Sequence, residues 1–100
     1  MAIKRFLVRR PFNETNITKV PKGKPIVYKI LDRKGKNIYT GSAKKGRVSQ
    51  RLEDHLPGAR DAFPGSKFFQ IKQAKRIREA ETQERRIIAQ EKPKFNRIGK

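Results

Sequence analysis

The run IVYKIL at residues 26–31, followed by DRKGK and then NIYTG, commits the middle of this chain to a β-hairpin. Ile26, Tyr28 and Ile30 recur with a period of two and therefore share one face of an extended segment. Gly35 supplies a residue tolerant of positive φ inside the turn 32–36, and residues 37–40 return as the second arm. Tyr39 and Gly41 share a face of that arm, so the chain's two tyrosines fall on neighbouring strands.

Around this hairpin the pattern changes. Residues 1–24 alternate short apolar groups with bases and run into Pro21, Gly23 and Pro25, which reads as a basic N-terminal arm with one short strand near 3–8. Beyond a loop at 41–46, residues 47–56 carry Val48, Leu52 and Leu56 at helical spacing, and Pro57-Gly58 ends the segment. Arg51 and His55 lie four apart and so share a side of that helix. Pro57, Gly58, Pro64 and Gly65 leave room for at most one helical turn at 59–62, and residues 67–71 form a third strand. Strong helix formers then fill 74–90 until Pro93. The expected fold class is α/β of the α+β kind. A small three-stranded antiparallel sheet is flanked by helices, with residues 25–100 as the domain and 1–24 as an arm or extra strand.

The last helix contains an anomaly. At 100° per residue Ile77, Ala80, Ile87 and Ile88 make one apolar stripe, and Glu84 falls near its middle, while Glu79 and Glu91 fall outside. A carboxylate there needs a metal, an arginine or an open cleft beside it, because burying it unpaired costs several kcal/mol. Alternatively, a slight rotation pairs it with Lys75 or Arg78.

Lys and Arg number 27 against 9 Asp and Glu, a formal net charge of +18. A compact state with that excess repels itself, and a polyanion is the partner that makes the charge useful. Nucleic acid is expected, DNA first and RNA possible. The bases are scattered and no amphipathic Trp/Phe/Leu helix accompanies them, which argues against a membrane partner. With no apolar run of bilayer length and an FLV at 6–8 too short for a signal-peptide core, an intracellular location is expected. The absence of cysteine excludes disulfides, thiolate nucleophiles and cysteine-ligated zinc. Residues 41–46 lack the Gly-Lys-Ser/Thr ending of a P-loop, so no nucleotide cofactor is expected. Of the six phenylalanines most belong in the core of so small a domain. Lys44, Lys45 and Arg47 form a patch suited to tracking phosphates.

What remains is a set of unlike groups: Tyr28, Tyr39, Arg51, His55, Glu84 and Asn96. Phosphodiester hydrolysis has work for such groups. An arginine fork suits phosphate oxygens as charge develops, and one carboxylate holds Mg²⁺ if water and phosphate complete the octahedron. A tyrosine takes a proton from water only if cations or metal pull its pKa down from ~10.

IVY at 26–28, YTG at 39–41, the following GSAKKGRVSQRLEDHL, and ERRIIAQEKPKFN at 84–96 together resemble the GIY-YIG nuclease domain. The resemblance spans 25–96 and implies a metal-dependent endonuclease that nicks DNA. It implies catalytic roles for Tyr28, Tyr39, Arg51 and His55, with Glu84 as ligand to one Mg²⁺ or Mn²⁺. It further implies that Gly41 allows a tight strand exit and close backbone approach to phosphate, beside Lys44, Lys45 and Arg47. Asn96 matches the closing asparagine that ties the tail to the core. Ile26 and Val27 replace the usual residues of the first tripeptide, and Thr40 replaces an aliphatic in the second. Because the loop before Arg51 is long, Arg47 competes for the phosphate-binding role. Which tyrosine, or His55, takes the proton stays open. So does the alternative of an inactive binding module on the same fold, or a small ribosomal-type RNA binder.

Overall fold

The structure, a computed structural model, describes residues 6–96. One strand organises them. In β2 (Ile26–Leu31) every side chain but Lys29 is buried, which requires a central strand covered on both faces. It lies between β3 (Asn37–Ala43) and β4 (Phe68–Gln73), antiparallel to both. A short strand β1 (Arg10–Pro11) adds to the outer edge of β4, giving the order β1-β4-β2-β3.

Ile26, Tyr28 and Ile30 share a face, as their period of two predicts, and enter one core cluster with Ile38, Phe69 and Ile71. The helices α1 (Glu14–Thr18) and α2 (Val48–Glu53) close that face with Ile17, Val48 and Leu52. Val27 and Leu31 are buried on the opposite side of β2, where α3 (Ile77–Glu91) packs against β2 and β3. At the hairpin turn Gly35 has φ +84° and Asp32 Oδ1 accepts from the amides of Lys34 and Lys36, each at 2.9 Å. Strand β3 continues to Ala43, past the expected end at 40, because β2 offers a partner along its whole length and Ile26 pairs with Ala43.

The N-terminal region differs most from expectation. The extra strand lies at 10–11 rather than 3–8, of which 3–5 fall outside the described residues; Leu7 N still donates to Ile71 O at 2.9 Å along the β4 edge. Residues 12–20 are more than an arm, since Phe12, Ile17 and Val20 are buried core. The small sheet leaves apolar surface beside α2 that these side chains cover, and burying each is worth about 1.5–3 kcal/mol. Asn13 caps α1 through Oδ1, accepting from Asn16 N at 2.9 Å.

Both predicted helices are shorter than their patterns. α2 gives way after Glu53 to tight turns, with His55 N donating to Leu52 O at 3.1 Å. α3 begins at Ile77 because Ala74 is still held to the sheet through Pro25 O at 2.9 Å. It ends where Lys92 adopts φ +48° ahead of Pro93. Of the predicted stripe only Ala80 is fully buried; Ile77, Glu84, Ile87 and Ile88 are half-covered.

Candidate active site at the edge of strand β3

Strand β3 ends the sheet, and the polar groups singled out from the sequence gather along it. Tyr28 lies directly across from Gly41 in the β2–β3 register. A Cβ on Gly41 would stand 2.5 Å from the Tyr28 hydroxyl and 3.0 Å from the Tyr39 ring. The bare backbone therefore lets the Tyr28 phenol lie across the edge strand. Gly41 is buried within β3. This corrects the expectation of a strand exit at Gly41: β3 runs on to Ala43, and the space the glycine leaves is taken by a phenol.

The Tyr28 hydroxyl meets His55 Nε2 at 2.9 Å, and His55 Nδ1 meets the Asp61 carbonyl at 3.0 Å. A carbonyl only accepts, so Nδ1 carries the proton, and Nε2 of the neutral ring accepts from the phenol. Burial pushes the His55 pKa below the ordinary imidazole value, and Arg51 adds to that, which favours the neutral form. The Tyr28 pKa is raised, first by burial and then by Tyr39, with Arg51 only partly opposing. Burial likewise raises Tyr39. Arg51 alone does not bring either phenol down, because desolvation outweighs the one guanidinium in reach.

Arg51 reaches this pair from α2. Burial works against its charge, but Tyr28 and Tyr39 outweigh that and raise its pKa. Among the described residues it forms no ion pair. Its neighbour Arg47 stands exposed at the N-terminal end of α2. With Ser42, Lys44, Ile77 and Glu81, the two arginines line a cleft of about 220 Å³. Lys45 is exposed nearby on the same loop without lining the cleft.

Glu84 comes from α3 on the other side of the strand. Its Oε1 accepts from Ser42 Oγ at 2.7 Å, and its charge contributes to raising both phenols. It pairs with neither Lys75 nor Arg78; among the described residues it takes part in no ion pair, and Oε2 accepts no hydrogen bond. No group of three or more His, Cys, Asp or Glu able to hold an ion occurs among the described residues. A single carboxylate with one oxygen uncommitted fits a hard ion such as Mg²⁺, which keeps most of its waters.

Asn96 is buried, and its side chain pairs with the backbone of Thr40 as another strand would. Oδ1 accepts from Thr40 N at 2.7 Å and Nδ2 donates to Thr40 O at 2.9 Å. Three contributors were not foreseen. Asn37 donates to Thr40 Oγ1 at 2.8 Å and to Glu91 Oε1 at 3.0 Å, tying the start of β3 to the end of α3. Phe63 stacks on Tyr39 and His55 with centroids 4.5 and 4.8 Å apart, and on Phe95 at 5.0 Å. Asp61 orients the imidazole through its carbonyl, a role that leaves no mark on residue type. A phenylalanine enclosed by Pro57-Gly58 and Pro64-Gly65 was the one available hint that the loop folds back.

No family model matches this chain, and no curated protein matches it by sequence. Among solved structures it is similar to the GIY-YIG N-terminal endonuclease domain of UvrC from Thermotoga maritima, a point mutant bound to its catalytic divalent cation. The TM-score is 0.62 at 24% identity, over 80% of this chain and 93% of that one. A central β2, the β3 edge and the flanking helices thus give this chain the GIY-YIG fold.

Proposed function

We propose that this protein is a GIY-YIG endonuclease, dependent on a divalent metal, that hydrolyses DNA phosphodiesters one strand at a time. The observation that carries the reading is the meeting of Arg51, the Tyr28–His55 pair and Glu84 at one sheet edge beside a basic cleft. Support for the metal comes from the uncommitted oxygen of Glu84, and from a relative of like fold described with a catalytic divalent cation.

In this reading Lys44 and Arg47 draw the phosphate backbone into the cleft, and Arg51, with no carboxylate paired to it among the described residues, takes up the charge that develops on the scissile phosphate. Tyr28, a neutral phenol, receives the proton of the attacking water as its own passes to His55 Nε2. A relay of this kind needs no free phenolate, which burial disfavours. The Asp61 carbonyl keeps its bond to the Nδ1 proton before and after this transfer, first fixing the neutral tautomer and then holding the imidazolium in place. A divalent cation bound at Glu84 would supply charge neutralisation at the phosphate.

Supercoiled plasmid incubated with Mg²⁺ or Mn²⁺ tests this. Wild type nicks; Glu84→Ala and Arg51→Ala lose about 10²-fold or more in rate, and Glu84→Ala still binds DNA. Nicking by Glu84→Ala at the wild-type rate removes the proposal, and binding without nicking by wild type leaves a binding module on this fold.

A further inference from the structure

We propose that Ser42 is a positioning residue: from β3 it holds one oxygen of Glu84 so that the other alone faces a divalent cation. The inference rests on the reading of Glu84 as the ligand to such an ion. It comes from a hydrogen bond that joins the two halves of the site. Ser42 follows Gly41 on β3 and pairs with Val27, so its side chain points to the face opposite the Tyr28 phenol, toward α3. There Oγ donates to Glu84 Oε1 at 2.7 Å, a short, charge-assisted contact.

Nothing else among the described residues hydrogen-bonds or ion-pairs with the Glu84 carboxylate. A half-buried glutamate on a helix keeps several rotamers, and a ligand distributed over them binds an ion weakly. The donor stands on a strand paired along its length with β2, so it brings the carboxylate to a fixed place. Ser42 also lines the cleft with Lys44, Arg47 and Arg51, which puts the orienting bond at the wall where phosphate is proposed to enter. With Oε1 occupied, Glu84 presents a single oxygen. That suits Mg²⁺, which takes few protein ligands, better than Ca²⁺, which favours bidentate carboxylates.

The test compares wild type, Ser42→Ala, Ser42→Thr and Glu84→Ala. Mn²⁺ binding is followed by the electron paramagnetic resonance signal of the free ion, and nicking is measured against Mg²⁺ concentration. Ser42→Ala is expected to bind Mn²⁺ ten- to a hundredfold more weakly. Its Mg²⁺ requirement for half-maximal nicking should rise by the same factor, with the plateau rate nearly recovered. Ser42→Thr, which keeps the hydroxyl, should restore both, and metal-free melting should not change. Unchanged Mn²⁺ affinity and Mg²⁺ requirement in Ser42→Ala overturn the proposal, as does a loss confined to the plateau rate and the melting temperature. If Glu84→Ala also binds Mn²⁺ like wild type, the ion is held elsewhere and the reading of Glu84 fails as well.

Discussion

Gly41 and His55 show how single residues set the chemistry. A methyl at position 41 has nowhere to go, because the Tyr28 ring above it is fully buried and cannot swing aside. Gly41→Ala should therefore cost about 1–3 kcal/mol, as overpacking does, and move the phenol from His55. Thermal denaturation and nicking should decline together. His55 titrates below the usual imidazole value because it is buried, so its folded pKa lies under the unfolded ~6.5. The unfolded chain then binds the proton more tightly, so the stabilisation is intact above pH ~6.5 and lost as pH falls through the folded value. If the proposed relay through the neutral ring holds, nicking should fall off on the acid side only below ordinary histidine pH. A pH–rate profile with a limb above ~6.5 would deny His55 that part.

At the scale of elements, the candidate site lies along an edge strand, whose outer backbone groups need partners. The short 3-10 turn Lys94–Asn96 answers for its middle: Asn96 saturates both backbone groups of Thr40. Glu91, at the end of α3, receives Lys29 Nζ and Asn37 Nδ2 at 3.0 Å each. Burial pushes its pKa up, but those hydrogen bonds prevail and hold it below the usual carboxylate value. Asn96→Ala removes both bonds at a buried position and should cost about 1–3 kcal/mol per group left unsatisfied. Denaturant unfolding measures the loss, and amide exchange at Thr40 should accelerate with it. An unchanged exchange rate would mean that the turn does not secure the strand.

The molecule as a whole carries a net charge of +18, and among its described residues the ion pairs are Lys29–Glu91 and the weak contacts of Arg60 with Asp54 and Asp61. Added salt should then act in opposite directions on two properties. Screening relieves self-repulsion and raises the melting temperature. The same salt weakens DNA binding, with log K falling by about 0.9 per phosphate neutralised for each unit of log salt. A salt-independent affinity would contradict phosphate binding by the basic cleft. How much of all this was legible beforehand follows from range. Period two placed Tyr28 and Tyr39 on paired strands, Pro93 marked the end of α3, and the mismatch of Glu84 with its stripe singled out the acid that meets β3, since these signals lie within a few residues of one another. The N-terminal helix was legible in principle through Asn13, yet its need was not, because only the assembled sheet has a face for Phe12, Ile17 and Val20 to cover. Tertiary structure alone decided that the glycine after Thr40 seats a phenol, that His55 accepts from Tyr28, and that Ser42 meets Glu84 across a strand edge. Each is a contact between distant segments, and local propensity carries no term for what the rest of the chain will place there.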